Sequence, residues 1–354
     1  MKRINSIETV FKKKLIVFFF GLFLGGIGGV IAISGWNNFF PGSANPDSGA
    51  LLGEDQAEEA REGFENLINP LLDCPARERY TFTSMLPYKK IEEKLQSLVD
   101  KHTQLNQLKT AGIYVNDLHI GSWFGINARA TMLPGSLVKL PLVVGHLRAV
   151  EANVYSLDQK ILFNRPDLLN LYDLQLVRPT IKLEVNQSYT LQEIMRRSIV
   201  YSDNVAAALL EDLDNRRSLD DLIAKTHIPI NPLLTHGNVL TLKEYSGIFR
   251  ILYNASFLSD ANSSLVLQWL TQADFVAGIS AGIPAGTVVA HKFGEAFEGG
   301  EEELTTINDC GIIYHYPFPY LLCVSLKGKD PVQLATIIKE ISTLVYQEFA
   351  KRRP

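Results

Sequence analysis

The sequence of 354 residues predicts an α/β sandwich that carries an all-helical lobe and follows one membrane-spanning helix. Three observations lead to this fold class. β-like runs stand near both ends of residues 86–350, helical patterns fill 189–270 between them, and an uncharged apolar run occupies 15–34. Hydrophobic residues make up 46% of the chain, which is enough for a substantial core.

The elements follow in order from residue 88, and no internal repeat interrupts them. Helical spacing of apolar residues predicts helices at 88–105, from near Ser136 to about 154, through most of 189–270, and at 331–349. Short β-branched and aromatic runs bounded by turn residues predict strands at 111–115, 120–126, 287–293, 307–315 and 320–326. Within the helical block the expected N-caps are Thr190, Ser202 and Thr241.

The apolar run 15–34 predicts a membrane anchor. A helix of 20 residues is about 30 Å long, the thickness of the hydrocarbon layer. The basic segment 1–14 is expected in the cytoplasm, so the linker and acidic juxtamembrane segment 35–85 and the domain at 86–350 are expected outside it. The alternative is a cleaved signal peptide and a secreted protein, because residues 32–34 resemble a cleavage site; the apolar run is longer than most signal cores.

Composition excludes several classes of function. A net charge of −4 and a pI of about 6.0 provide no basic face, so no nucleic-acid partner is expected. Three cysteines, none in a C-x-x-C pair, exclude a disulfide scaffold and a cysteine zinc site. The seven histidines show no H-E-x-x-H or paired spacing, so we expect neither a metal nor a cofactor. Cys310 and Cys323 flank a predicted hairpin, either as a disulfide or as two buried thiols.

One short motif, Ser136-x-x-Lys139, carries the elements of nucleophilic catalysis. Residues i and i+3 share a helix face, so the lysine amine is placed to approach the serine hydroxyl. A serine hydroxyl is a weak nucleophile until a base takes its proton, and a desolvated lysine is such a base. A helix N-terminus also supplies N–H groups for an oxyanion. Alone, the motif is weak evidence for catalysis and is more typical of an ordinary helix start with a solvated lysine.

Two further motifs follow in order, Ser202-Asp203-Asn204 and Lys292-Phe293-Gly294. Each has a structural interpretation, the first as a helix cap and the second as an edge-strand lysine before a turn glycine. With Ser136-x-x-Lys139, they resemble the three motifs of class A β-lactamases and the related penicillin-binding D,D-peptidases. The surrounding segments PGSLVKLPLVV, SYTLQEIMRRSIVYSDNVAAALL and GTVVAHKFGE are also similar to that family, and the resemblance covers about 86–350.

The resemblance implies a β-lactamase/transpeptidase-like α-β-α sandwich, in which helices flank an antiparallel sheet, and a role for each motif residue. Ser136 would be the acylated nucleophile, Lys139 its base or proton relay, and Ser202 the residue that passes a proton to the leaving nitrogen. Asn204 would hold the substrate amide and the Lys139 side chain. Lys292 would attract the substrate carboxylate and support Ser202.

The segment after Lys292 would complete the site, and it departs from the family pattern. Glu295, directly after Gly294, would share an oxyanion hole with Ser136 through its backbone N–H. Phe293 stands where the family usually has threonine or serine, and no arginine occurs between 291 and 350. Acidic residues crowd the segment and disfavour an anionic ligand: Glu295, Glu298, Glu301, Glu302 and Glu303.

A further departure concerns deacylation. The loop that carries the deacylating glutamate in class A β-lactamases corresponds to 225–240, which contains no acidic residue. Glu211 and Glu244 flank it on predicted helices. We therefore expect an anchored serine hydrolase that forms a Ser136 acyl-enzyme on β-lactams or related acyl-D-Ala-D-Ala amides and deacylates slowly. The alternatives are a D,D-peptidase acting on peptidoglycan stem peptides and a catalytically degenerate wall-binding module.

Overall fold

The computed structural model describes residues 67–69, 86–230, 240–298 and 303–352. Within these ranges no helix has the length and apolar character needed to cross a membrane. The predicted anchor at 15–34 and the basic segment 1–14 lie outside the described residues, as does nearly all of 35–85. The anchor, its orientation and the linker therefore stay predictions.

A five-stranded antiparallel sheet forms the middle layer. Its order is β2-β1-β9-β8-β7, so the N-terminal hairpin joins the C-terminal strands through the pairing of β1 with β9. The strands are β1 (Thr110–Asp117), β2 (Trp123–Ile126), β7 (Val289–Glu298), β8 (Leu304–Ile313) and β9 (Tyr320–Gly328). All five predicted strands exist, and β7 extends five residues beyond its predicted end because its whole length pairs with β8.

The sheet separates two apolar cores. Successive side chains of a strand point to opposite faces, and along β9 Leu321 and Cys323 join one core while Leu322 and Val324 join the other. The helices α1 (Leu86–Gln104) and α8 (Pro331–Ala350) cover one face. The opposite face packs against the helical lobe. The chain is thus an α-β-α sandwich with the predicted helical lobe.

The lobe surrounds a central helix, α2 (Lys139–Glu151), whose residues from Lys139 to Leu147 are all buried. A helix buried on every side belongs inside a bundle, and this position also removes Lys139 from water. The surrounding helices are α3 (Leu191–Val200), α4 (Asn204–Asp214), α5 (Arg217–Thr226), α6 (Leu242–Tyr253) and α7 (Asp260–Leu270). The apolar faces of α6 and α7 also contact the sheet.

The predicted caps are mostly confirmed. Thr190 accepts the Glu193 N–H at the start of α3, and Thr241 forms a capping box at the start of α6. The prediction for Ser202 is wrong: Asp203 is the N-cap of α4, because its carboxylate accepts two first-turn N–H groups.

Two small antiparallel pairs were not predicted. They are β3 (Thr131–Met132) with β6 (Leu240–Thr241), and β4 (Lys160–Phe163) with β5 (Gln187–Thr190). Pairs this short carry too few residues to show a clear alternation in the sequence.

Cys310 and Cys323 stand directly opposite each other on β8 and β9 and are joined as a disulfide. Of the two states that the sequence left open, the structure contains the bonded one.

Candidate active site

Ser136 lies in a single 3₁₀ turn, Gly135–Val138, rather than in the α-helix predicted there, which begins only at Lys139. In a 3₁₀ turn residues i and i+3 also lie above one another, so the predicted pairing of Ser136 with Lys139 survives the change of helix type. The turn packs against β7: a Cβ on Gly135, at φ +51°, would lie 2.1 Å from the Glu295 carbonyl oxygen. Only glycine permits this close approach.

The side-chain nitrogen of Lys139 is the centre of a hydrogen-bond network. Nζ lies 2.9 Å from Ser136 Oγ, 2.6 Å from Asn204 Oδ1 and 3.2 Å from Ser202 Oγ, and it also contacts the Ser202 carbonyl oxygen. The carbonyl of Ser202 and Oδ1 of Asn204 can only accept hydrogen bonds. A neutral Lys139 therefore donates its two N–H groups to them and keeps its lone pair for the Ser136 hydroxyl.

Burial favours that neutral state. It lowers the pKa of Lys139 to about 8, against the attraction of the nearby Asp203 and Glu295 carboxylates, which act in the opposite direction. At pH 7 roughly a tenth of Lys139 is then unprotonated, far more than for a solvated lysine. At 2.9 Å from Ser136 Oγ, a neutral Lys139 amine can accept the proton of the Ser136 hydroxyl.

Ser202 occupies a strained turn between α3 and α4. Its φ is +51°, which is uncommon for a residue other than glycine, and its side chain is fully buried. Asp203 stabilises the turn by capping α4 and by accepting the Tyr172 hydroxyl at 3.2 Å. The turn directs Ser202 Oγ toward both buried lysines, and strain of this kind is common at functional sites.

Lys292 approaches the same hydroxyl from β7. Its Nζ donates to Ser202 Oγ at 2.9 Å and to the Phe293 carbonyl at 2.8 Å. Burial and the charge of Lys139 lower the pKa of Lys292. Gly294 brings the strand against the nucleophile turn, since a Cβ there would lie 2.5 Å from the Pro134 carbonyl oxygen.

Phe293 is an apolar core residue that lies next to the site. Its ring is 3% exposed and stacks on Phe275 at 4.3 Å between centroids, in the same buried cluster as Leu176. Lys292 Nζ lies 4.6 Å from the centre of the Phe293 ring. Lys292 therefore contacts an aromatic ring where the family usually has a hydroxyl.

Glu295 lies on β7 beside the nucleophile turn, and its carboxylate reaches across to a separate segment. Oε1 accepts the Leu176 N–H at 2.7 Å, and Oε2 accepts the Val177 N–H at 3.3 Å. Burial raises the pKa of Glu295 to about 7, although these two bonds and Lys139 lower it. Sequence reasoning assigned only the backbone of Glu295 to the site.

Two other site residues were missed. Gln175 donates to the Ser202 carbonyl at 2.9 Å and accepts the Asn204 N–H at 3.3 Å. Burial raises the pKa of Asp274 to about 6, with Lys292 the largest opposing influence. Neither residue belongs to a short motif, so the sequence carried no signal for them.

The two flanking glutamates have different surroundings. Glu244 is engaged in the α6 capping box. Glu211 lies seven residues after Asn204 on α4; its side chain is exposed, and its charge raises the pKa of Lys139. Residues 231–239 of the intervening loop lie outside the described residues. Among those described, no cluster of three metal-ligating side chains occurs.

The model of the beta-lactamase enzyme family matches residues 90–349, more than half of the chain. The chain belongs to this family. Among curated proteins it is similar to the extended-spectrum beta-lactamase PER-1 of Pseudomonas aeruginosa, at 27% identity over 236 residues, covering 60% of this chain and 73% of PER-1. The predicted resemblance to class A β-lactamases is thereby confirmed.

Solved structures show the same fold. The structure of PBP-A is similar with a TM-score of 0.61 at 21% identity, covering 74% of this chain and 97% of PBP-A. The last common ancestor of Gram-negative bacteria beta-lactamase class A reaches a TM-score of 0.62 at 24% identity, covering 73% of this chain and 99% of its own. The chain therefore belongs, by its family and its fold, to the class A β-lactamase and penicillin-binding group of serine hydrolases.

Proposed function

We propose that this family member forms an acyl-enzyme on Ser136 with β-lactams or related acyl-D-Ala-D-Ala amides and releases the acyl group slowly. The observation that carries the proposal is the Lys139 network, which leaves a lone pair for the Ser136 hydroxyl. PBP-A, whose fold this chain shares, has also been solved as a variant in an acyl-enzyme complex with penicillin G.

In the proposed reaction Ser136 Oγ attacks the carbonyl carbon while its proton passes to Lys139 Nζ. The carbonyl C–N bond then breaks, and the nitrogen takes a proton through Ser202 Oγ, which contacts Lys139 and Lys292. The N–H groups of Ser136 and Glu295 stabilise the oxyanion. Water hydrolyses the resulting ester and regenerates the serine.

Slow deacylation is proposed because the segment 225–240 contains no acidic side chain. Glu211 precedes this segment, on α4, and its exposed side chain is left as the acid that the substitution tests must address. Without a base to activate water, the ester persists.

The test is labelling of the full chain with a fluorescent penicillin, with Ser136→Ala as the control. Covalent label on the unmutated chain alone supports the proposal. Equal labelling of both, or of neither, contradicts it.

A D,D-peptidase acting on stem peptides is the second candidate. Among the described strands β7 ends the sheet and lies beside Ser136, so it offers main-chain hydrogen bonds to an extended peptide. Release of D-alanine from an acyl-D-Ala-D-Ala peptide by the unmutated chain, absent in Ser136→Ala, supports this candidate.

We also propose that 15–34 anchors the domain outside the cytoplasm. The length of the apolar run and the basic residues before it support this arrangement. Protease treatment of intact cells tests it: loss of the domain is expected, and full protection contradicts it.

A further inference from the structure

The segment 173–178, called the strap from here on, runs along one side of the candidate site. Gln175 ties it to the turn that carries Ser202 and Asn204, with hydrogen bonds of 2.9 and 3.3 Å. Those two residues also bind Lys139. The strap is therefore attached to the wall of the site formed by the start of α4.

Glu295 ties the strap to the opposite wall. It stands on β7, three residues after Lys292, and its carboxylate accepts the strap N–H groups of Leu176 and Val177. The main chain of Glu295 abuts Gly135, directly before the nucleophile. The bridge from Glu295 to the strap thus joins the two elements that flank Ser136 and Lys139.

Apolar contacts of the strap add to its hydrogen bonds. Leu176 is only 4% exposed and belongs to the same buried cluster as Phe275 and Phe293. Val177 packs against that cluster from its edge. The strap is seated in the core beside β7 as well as hydrogen-bonded to it.

We propose that Glu295 is a latch that holds the strap between β7 and the start of α4 in the free enzyme, so that a substrate enters the space between these two elements only after both Glu295 hydrogen bonds break. The inference rests on the proposed function and adds a regulatory step to it. Acylation then includes an opening equilibrium, and the observed rate is the intrinsic rate multiplied by the open fraction.

The size of the effect follows from the bonds that break. Hydrogen bonds to a charged acceptor are about twice as strong as neutral ones, and each contributes roughly a tenfold factor to an equilibrium. Glu295→Ala removes both bonds and should raise the acylation rate at least about tenfold. Glu295→Gln keeps one acceptor oxygen and should give an intermediate increase.

Acylation is measured with benzylpenicillin on the full chain at pH 9.5. This pH lies above the pKa of Lys139 and is chosen because Glu295 also raises that pKa, so a comparison at pH 7 would mix the two effects. Glu151→Gln is the matched control: its carboxylate also accepts a backbone N–H, that of Ser259 at 2.7 Å, but it lies about 18 Å along α2 from Lys139.

The latch predicts faster acylation in both Glu295 variants and an unchanged rate in Glu151→Gln. Rates equal to or below that of the unmutated chain, with a Ser136 adduct present, overturn the latch and leave the proposed function standing. If Glu295→Ala forms the adduct and the unmutated chain does not, the result supports both the latch and the proposed function.

Hydrogen exchange provides a readout that does not depend on acylation. In the unmutated chain the Leu176 and Val177 amides should be protected, and in Glu295→Gln their exchange should be at least about tenfold faster. Mass spectrometry of peptides covering the strap measures this. Unchanged exchange overturns the latch whether or not an adduct forms. The absence of an adduct in every variant would refute the proposed function instead.

Discussion

The pH dependence of acylation is the sharpest consequence of the Lys139 environment. If Lys139 must be neutral to accept the Ser136 proton, the acylation rate follows the unprotonated fraction of a group whose pKa is about 8. The rate should level off above that value, and at pH 7 it should be about a tenth of the plateau. Below pH 7 the fall should be shallower than tenfold for each pH unit, because Glu295, whose pKa is about 7, becomes protonated and holds the strap less tightly.

The assay is the second-order rate of benzylpenicillin adduct formation, followed by intact mass from pH 5.5 to 10. Glu295→Gln sharpens the test, because the Glu295 charge raises the Lys139 pKa and its loss should move the acid limb to lower pH. Glu151→Gln should leave the limb where it is. A midpoint near 10.5, the ordinary value for lysine, or a flat profile would refute the assignment of Lys139 as the base.

Three other substitutions test the packing around the site. Phe293→Thr should lower the free energy of unfolding by about 3 kcal/mol in urea titrations, since the ring stacked on Phe275 is lost from the core; an unchanged free energy would contradict this packing. Gly294→Ala should slow acylation at least about tenfold, because the added Cβ meets the Pro134 carbonyl at 2.5 Å; an unchanged rate would contradict this packing. Glu211→Gln should leave the lifetime of the adduct unchanged, and a longer lifetime would identify Glu211 as a deacylating base.

Much of the fold follows from local patterns. The strands at both ends and the helical block between them are recognisable because their apolar residues repeat with the period of the element. The sequence prediction fails where local structure depends on contacts between distant parts of the chain. Ser136 was expected on an α-helix, but the close approach of Glu295 at Gly135 favours a tighter 3₁₀ turn. Such a contact joins residues far apart in the chain and leaves no periodic trace.

In the site, too, residues in short motifs were predictable and residues that meet only through long-range contacts were not. Ser136, Lys139 and Ser202 were identified because the chemistry places them in compact motifs, and the structure brings them within hydrogen-bond distance. The carboxylate of Glu295 meets Leu176 across 119 residues of sequence. Gln175 likewise acts through a turn 27 residues away. Contacts of this range depend on the assembled sheet and lobe.

The most direct test of the central claim is the intact mass of the full chain after incubation with benzylpenicillin, followed over hours beside Ser136→Ala. The account predicts one covalent adduct on the unmutated chain, mapped to Ser136, that persists after free penicillin is removed. Penicillin loss without a detectable adduct would contradict slow deacylation. The absence of both adduct and turnover with penicillin, together with no release of D-alanine from a stem peptide, would contradict the Ser136 acyl-enzyme itself.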